Sequence, residues 1–141
     1  MTALVRLRAH MFEAMGIVEN SHEWQDNARE WFTNKVTDQS YGIFVLEVDG
    51  EVVACAMGGM RDVAPSPAVP DGGDAVISNV CTDAAHRGHG YGRTVFDAVM
   101  SWARQMGVAR VELMATPSGQ SIYERAGFSV VRFPAMRASL R

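Results

Sequence analysis

The sequence predicts a single α/β domain over residues 1–141, with two helices, then a hairpin, then a strand–helix–strand unit. Three observations support this prediction. Apolar residues recur at helical spacing near the N-terminus, an Asp-Gly pair separates two β-forming runs, and a glycine-rich turn joins a later strand to an amphipathic helix. With 48% hydrophobic and 21% charged residues, a chain of 141 residues can build one core by itself.

The first part of the chain predicts two helices. One face of the first helix carries Leu4, Leu7, Met11 and Met15. Gly16 supplies a stop, and residues 20–23 then have the capping-box form, with Asn20 as the N-cap and Glu23 three positions later. One face of the second helix carries Trp24, Ala28, Trp31, Phe32 and Val36.

A β-hairpin follows the two helices. Residues 43–48 and 51–57 are rich in β-forming side chains, and the Asp49-Gly50 pair between them favours a type I′ turn. Residues 61–73 contain three of the five prolines and two glycines, which predicts an irregular surface loop within the same domain.

A βαβ unit is predicted next. Residues 75–82 form its first strand, a helix extends from near Gly90 to Gly107, and residues 108–114 form its second strand. The two strands should therefore be parallel, with a right-handed crossover.

The remaining residues predict a helix and two closing strands. Thr116 supplies an N-cap and Pro117 a first-turn residue for a short helix to about Ala126. Residues 128–133 and 136–140 are then expected to be strands.

Composition excludes several classes of function. The formal charge of −3, from 13 Lys and Arg against 16 Asp and Glu, argues against nucleic-acid binding. No apolar stretch reaches the 18 or more residues of a membrane span, so we expect a cytoplasmic protein without membrane contact. Cys55 and Cys81 lack the spacing of metal ligands and are expected to be small buried hydrophobes. The sequence predicts no metal site.

The turn between the first strand and the helix of the βαβ unit is the candidate binding site. Gly88, Gly90 and Gly92 occupy alternate positions just before the helix. Uncovered backbone N–H groups and the positive end of the helix dipole can hold a phosphate there without basic side chains. The plainer alternative is a tight turn that needs glycine only for its backbone conformation.

Two other phosphate motifs fit less well. The spacing of Gly90, Gly92 and Val95 approximates a dinucleotide fingerprint, with Glu112 at 20 residues beyond Gly92, so an NAD-binding protein is an alternative. That fingerprint belongs on the first strand of a larger sheet, whereas this one lies past the middle of the chain. A Walker A loop is excluded because no Lys-Ser or Lys-Thr follows the glycines.

Two motifs together resemble the GNAT superfamily of N-acetyltransferases. Arg87, Gly90 and Gly92 match the family's acyl-CoA motif, Q/R-x-x-G-x-G/A. Its L-Y-E-x-x-G-F segment is matched by Ile122, Tyr123, Glu124, Gly127 and Phe128. The two motifs occur in the family's order, bridged by a helix and a strand of suitable length.

The resemblance implies a mixed, mostly antiparallel sheet flanked by helices, in which two central parallel strands splay apart to admit the pantetheine arm of acetyl-CoA. The family's usual first edge strand should be missing, because residues 1–4 already lie in the first helix. Main-chain groups of Val80, Cys81 and Thr82 would pair with pantetheine. The pyrophosphate turn would consist of Arg87, Gly88, His89, Gly90, Tyr91, Gly92 and Arg93. Thr116 stands where many members carry a CoA-binding Asn.

The implied reaction is transfer of acetyl from acetyl-CoA to a primary amine of a small molecule or peptide. The deprotonated amine attacks directly, and Tyr123 acts as the general acid that protonates the leaving CoA thiolate. Candidate bases are Glu112 and an acidic group of Glu19, Glu23, Asp26 and Glu30. A route through acylated Cys81 is an alternative, although no His is spaced to activate the thiol.

An alternative from another class is a non-catalytic acyl-CoA-binding sensor or subunit with the same fold. It would keep the phosphate turn and close the acceptor site. The sequence leaves the acceptor and the assembly state open, with a homodimer among the possible assemblies.

Overall fold

The computed structural model describes residues 1–141 and contains four helices and four strands. The helices are α1 (Thr2–Ala14), α2 (Glu23–Lys35), α3 (Tyr91–Gln105) and α4 (Gln120–Arg125). The strands are β1 (Tyr41–Val48), β2 (Glu51–Arg61), β3 (Asp74–Thr82) and β4 (Val111–Leu113). A single 3-10 turn, Ala84–His86, follows β3. The predicted α/β fold is confirmed.

The four strands form one mixed sheet in the order β1-β2-β3-β4. Pairs β1–β2 and β2–β3 are antiparallel, and β3–β4 is parallel, as the strand–helix–strand pattern predicted. β1 lies at one edge of the sheet, and the two elements that precede it in the chain are the helices α1 and α2.

Both faces of the sheet are covered. On one face, α1 and α2 bury Leu7 and Phe32 against Cys55 and Met57 of β2. On the other face, α3 buries apolar residues against Ala54 and the rest of the second core cluster. Successive residues of β2 point to opposite faces, and because both faces are covered the strand carries no charged residue between its ends, Glu51 and Arg61, and is buried from residues 53 to 57.

The hairpin turn has the predicted chemistry. Asp49 and Gly50 both have positive φ, 53° and 80°, which a type I′ turn requires. Asp tolerates this conformation better than most residues, and glycine has no Cβ to oppose it. The turn joins strands that are longer than predicted, because pairing continues to Tyr41 and Gly59.

A β-bulge interrupts β3 just beyond the end of its pairing with β4. The register moves from Cys55 opposite Cys81 to Met57 opposite Ser78, so β3 contains one extra residue. Asn79, within this step, has φ of 55°. Parallel pairing with β4 ends at Ile77, so residues 78–82 have no neighbouring strand on that side. This is the splay that the resemblance implied.

The predicted capping box is wrong. α2 begins at Glu23 with His22 as its N-cap, and no side chain caps it. Glu19 instead accepts a 2.7 Å hydrogen bond from Gln25 and lies 2.9 Å from the His22 ring. Glu19 therefore holds the start of α2 through its contacts with His22 and Gln25, and Asn20 lies outside the helix.

Two boundaries in the second half also differ from the prediction. The strand predicted for residues 108–114 is reduced to Val111–Leu113, because β3 bulges away beyond Ile77 and offers no further partner. The helix predicted from Thr116 begins at Gln120. The Thr116 hydroxyl bonds the Ser118 hydroxyl at 3.2 Å and caps no helix N–H.

The two predicted closing strands, residues 128–133 and 136–140, are absent. Residues beyond Phe128 form no strand, and their apolar side chains stay exposed. A strand needs a partner edge that satisfies its backbone groups. This segment pairs with no strand of the sheet, and Pro134 lacks an N–H to donate.

The end of the sheet opposite the splay is held by a buried ion-pair network. Asp74 has no exposed surface, and its carboxylate accepts hydrogen bonds from Arg61 at 2.8 and 2.6 Å. Arg110 adds a bond of 3.1 Å, and Arg61 also reaches Glu112 at 2.9 Å. The network links β2, β3 and β4 where all three are in register.

We predict that Asp74→Asn lowers the free energy of unfolding at pH 7 by about 3 kcal/mol, because it leaves two arginines without their buried partner. Chemical denaturation measures this value, with the exposed Asp62→Asn as control. The hydrogen bond from Arg61 lowers the pKa of Asp74, so the carboxylate stabilises the fold above its unfolded pKa. That contribution is lost as pH falls through the folded pKa. The difference between wild type and variant should therefore shrink in acid, and a constant difference would contradict the assignment.

Candidate functional site

The candidate site lies where β3 separates from β4. Its parts are the open residues 78–82 of β3, the glycine turn before α3, and Tyr123 on α4. Tyr91 and Tyr123 both pack against the core cluster on the α3 face, together with Val80. The fold thus brings together the two motifs that the sequence analysis singled out.

The glycine turn exposes backbone donors. Gly88 and Gly90 have φ of 83° and 78°, and Gly90 is the N-cap of α3 with no side-chain cap. The first hydrogen bond of the helix is donated by the Thr94 amide to the Gly90 carbonyl. The Arg87 amide bonds the Ala84 carbonyl, whereas the amides of residues 88–93 donate to no acceptor in the chain, as expected at a helix N-terminus, and can bind an anion.

Gly92 explains how closely the turn approaches β3. A Cβ at this position would lie 3.0 Å from the Thr82 hydroxyl, so a larger residue would push the helix away from the strand. Arg87 extends over the same strand end and donates to the Thr82 carbonyl at 3.4 Å. The turn and the open strand are therefore in direct contact.

The remaining side chains of the turn are exposed at its outer surface. His89 stacks on Tyr91 with ring centroids 5.3 Å apart and planes 13° apart. Arg93, in the first turn of α3, lies 3.7 Å from Asp97. Arg87, His89 and Arg93 thus place hydrogen-bond donors beside the free amides along the chain.

Tyr123 is half-buried at the splay. Its ring packs against Phe96 and Phe128, with centroids 5.3 and 6.1 Å away. Burial raises the pKa of the phenol, and the nearby Cys81 sulfur raises it further. The phenol therefore stays protonated at neutral pH. It can donate a proton to a group bound in the splay.

Cys81 differs from its predicted role as a small buried hydrophobe. Its side chain faces the α1 and α2 layer, is only half-buried, and lies 3.2 Å from the Cys55 sulfur. Cys55 is fully buried, as predicted. The hydrogen bond from Cys55 lowers the pKa of Cys81, and the charges of Arg8 and Arg87 act in the same direction.

Sequence reasoning missed Arg8 and Asn79. The Arg8 guanidinium donates a 2.9 Å bond to the side-chain oxygen of Asn79, the residue in the left-handed conformation. Arg8 also lies 4.8 Å from the centre of the Phe12 ring. Two signals could have pointed here: an arginine beside an apolar helix face, and an Asn, a residue type enriched at positive φ, inside a strand.

The other predicted site residues lie in different surroundings. Thr116 is exposed, but its hydroxyl and the Tyr123 ring both approach Gly119, within 3.4 and 3.2 Å of a Cβ placed there. Glu112 is a poor general base because it pairs with Arg61 and Arg110 at the closed end of the sheet. Among the acidic residues of the first two helices, Glu23, Asp26 and Glu30 are exposed on α2.

A cavity of about 650 Å³ lies between the end of α1, the following loop and the start of α2. Its lining combines apolar and acidic side chains, chiefly Phe12, Ile17, Trp24, Glu13 and Glu19. Phe12 and Trp24 meet edge to face, with centroids 5.6 Å apart. Arg8 lies over the Phe12 ring of this lining and bonds Asn79 of β3, so its side chain links the wall of the cavity to the bulge.

The chain contains no group of three or more His, Cys, Asp or Glu side chains arranged to hold a metal ion. None of its helices combines the length and hydrophobicity needed to cross a membrane.

Three solved structures have the same fold. A predicted acetyltransferase from Clostridium acetobutylicum, crystallised with acetyl-CoA, has a TM-score of 0.85 at 21% identity, covering 96% of this chain and 88% of its own. A GCN5-related N-acetyltransferase from Ralstonia eutropha has a TM-score of 0.82 at 27% identity, covering 96% and 90%. Glucosamine-6-phosphate N-acetyltransferase from Arabidopsis thaliana has a TM-score of 0.73 at 19% identity, covering 95% and 87%.

A search among curated proteins finds no match. The family model described as the acetyltransferase (GNAT) family matches residues 2–128. This match includes the open strand, the glycine turn and Tyr123. Since it spans nearly the whole chain and the solved structures share the fold, the chain belongs to the GNAT family of acetyltransferases.

Proposed function

We propose that the protein transfers acetyl from acetyl-CoA to a primary amine of a small molecule or peptide. The observation that carries the proposal is that the open residues 78–82 of β3 end against the glycine turn, where Arg87 bonds the Thr82 carbonyl and Gly92 lies against the Thr82 side chain. An extended thioester arm that ends in a pyrophosphate needs both features side by side. A tight turn that merely required glycine would leave the gap in the sheet unexplained.

The residues present fit acetyl-CoA. The Asp83 amide bonds the Val53 carbonyl of β2, so alternation along β3 turns the main-chain groups of Cys81 toward β2. Those of Val80 and Thr82 face the side that has lost β4 and can pair with amide groups of the pantetheine arm. The Thr82 carbonyl already accepts a bond from Arg87, so its pairing would require that side chain to move. The amides from Gly88 to Arg93 would hold the pyrophosphate, with Arg87 and His89 beside them. Thr116 would help to hold CoA at a position next to Tyr123.

In the proposed reaction, acetyl-CoA supplies an activated acyl group that a neutral amine attacks directly. Tyr123 holds the proton that the departing thiolate requires. A phenol with a raised pKa is a weak acid, but a thiolate near pKa 8.5 can share its proton within a hydrogen bond. Glu112 is paired with Arg61 and Arg110, whereas Glu19 lines the cavity proposed below for the amine, so we propose that Glu19 accepts the proton of the amine through an ordered water.

The cavity beside the bulge is the proposed acceptor site. Its Glu13 and Glu19 carboxylates attract a cationic amine, and the Phe12 and Trp24 rings suit an apolar or cationic group. A volume of about 650 Å³ lies in the range of small-molecule pockets. The closing strands that would complete a peptide groove beside α2 do not form. The geometry therefore favours a small amine with an apolar part over a peptide.

The test of function is calorimetric titration with acetyl-CoA, CoA and NAD, followed by measurement of thiol release with a panel of amines and peptides. We expect acetyl-CoA binding, no NAD binding, and thiol release with small apolar amines. Binding without release from any acceptor would favour the non-catalytic sensor. Absence of CoA binding would reject the proposal.

The phosphate turn is tested by Gly90→Asp against Gly90→Asn. Both side chains tolerate positive φ, and a Cβ at Gly90 meets no atom within 4 Å, so the two variants differ mainly in charge. A carboxylate beside the pyrophosphate should weaken acetyl-CoA binding at least about tenfold relative to Asn, which corresponds to about 1.4 kcal/mol. Equal affinities of the two variants would place the pyrophosphate elsewhere.

The role of Tyr123 is tested by Tyr123→Phe, which keeps the packing against Phe96 and Phe128. Turnover should fall by about 10²-fold, the scale of lost general-acid catalysis, while acetyl-CoA affinity stays unchanged. Tyr91→Phe is the matched control, since that tyrosine also lies at the site but has no assigned proton transfer. Unchanged turnover in Tyr123→Phe would remove Tyr123 from the chemistry.

We also propose that the protein forms a homodimer through its C-terminal segment. Five large apolar side chains of that segment are 63–94% exposed: Val130, Val131, Phe133, Met136 and Leu140. A patch of this kind is typical of an interface, and the outer edge of β4 is free to pair with a second copy.

Sedimentation should find a dimer that the double variant V131D/F133D dissociates. The exposed Val36→Asp is the control, and a monomeric wild type would reject the proposal.

We further propose a cytoplasmic location. Cys55 and Cys81 are free thiols at a short distance, and unpaired cysteines are typical of reducing compartments. Recovery of the protein in a secreted or membrane fraction of its own cells would contradict this.

A further inference from the structure

The two cysteines of the chain form a pair that the proposed reaction does not use. They occupy directly opposed positions on antiparallel strands, Cys55 on β2 and Cys81 on β3. Opposed residues in such strands have Cα atoms about 4.5 to 5.5 Å apart, within the range that a disulfide spans. The sulfur atoms are 3.2 Å apart, so bond formation at about 2.05 Å requires a shift of only about 1 Å.

The environments of the two thiols differ, which assigns them different roles. Cys55 has no exposed surface, and its hydrogen bond with Cys81 together with burial raises the pKa of its thiol. Cys81 is half-buried in the open part of β3, and the charges of Arg8 and Arg87 act on its thiol and lower its pKa. Cations near a sulfur favour the thiolate, which is the form that reacts with oxidants. Cys81 is therefore the residue an oxidant would attack, and Cys55 the residue that resolves the product.

We propose that Cys55 and Cys81 are a redox-active dithiol, oxidised by hydroperoxides to an internal disulfide beside the strand that would bind CoA. The Cys81 thiolate attacks one peroxide oxygen. An S–O bond forms, the O–O bond breaks, and the leaving oxygen takes a proton to become water or an alcohol. The Cys55 sulfur then attacks the Cys81 sulfenic acid, forming the S–S bond as hydroxide leaves with the Cys55 proton as water. The two thiols lose two electrons and the peroxide gains them.

Disulfide formation would act on the proposed cofactor strand. Closing the gap between the sulfurs would draw Cys81 toward β2, and the adjoining main-chain groups of Val80 and Thr82, which face the open side and would pair with pantetheine, would move with it. A displacement near 1 Å is enough to break a hydrogen bond whose normal range is about 2.7 to 3.2 Å. This consequence rests on the proposed function, whereas formation of the disulfide does not.

The experiment exposes purified protein to hydrogen peroxide and follows intact mass and free-thiol content. We expect the loss of two hydrogen atoms and of both thiols, reversed by dithiothreitol. In Cys55→Ala, dimedone should trap a sulfenic acid on Cys81. In Cys81→Ala, oxidation of Cys55 should slow at least about tenfold, because its thiol is buried and its pKa is raised. Alanine at either position keeps a small apolar side chain, and circular dichroism verifies folding.

The proposal is overturned if both thiols remain at peroxide concentrations that oxidise free cysteine only slowly. It is also overturned if Cys55 is oxidised at the same rate in wild type and in Cys81→Ala. The coupling is measured separately by acetyl-CoA titration of the oxidised and reduced protein. We expect about a tenfold higher Kd after oxidation. An unchanged Kd rejects the coupling. Failure of the reduced protein to bind acetyl-CoA rejects the proposed function instead, and the mass measurement distinguishes the two cases.

Discussion

The hydrogen bond between Arg8 and Asn79 is the interaction on which the rest of the site depends. A non-glycine residue in the left-handed conformation carries a cost, and a buried amide needs a partner. Arg8 supplies that partner from α1, at 2.9 Å. The conformation of Asn79 places the extra residue in β3, and the extra residue directs the strand away from β4. The opening in the sheet, the reach of Arg87 across the strand end and the position of Cys81 all follow from this one bulge.

The sheet is opened at one end because it is fixed at the other. Asp74 joins three strands through Arg61 and Arg110 just where β3 and β4 are still in register. Three residue pairs of parallel strand would hold poorly by themselves, and the buried carboxylate reinforces them. Glu112 belongs to this clamp, which explains why a carboxylate on the strand after α3 takes no part in the proposed chemistry. The molecule thus separates a rigid end from an open one.

The two core clusters lie on opposite faces of the sheet, and each face carries a different part of the proposed site. The α3 face holds Tyr123 and the glycine turn, which we propose bind the cofactor and supply the proton. The α1 and α2 face holds Arg8, the thiol pair and the cavity proposed for the acceptor. The opening between β3 and β4 is where a group held on one face can reach a group held on the other. A change in β3, whether by substitution at Asn79 or by oxidation of Cys81, would therefore affect both faces at once.

The sequence by itself determined the types of the four helices and four strands that form, the hairpin turn and the parallel pair, because apolar periodicity, an Asp-Gly pair and a glycine-rich turn act through local geometry. It also placed the two motifs that the family model now covers. It did not determine the ends of elements that depend on a partner. β4 is short because the bulge removes its neighbour, and the expected closing strands lack an edge to pair with. Arg8 and Asn79 are 71 positions apart, and Cys55 and Cys81 are 26 apart. Only tertiary packing brings such residues together, since no local pattern encodes a contact between distant segments.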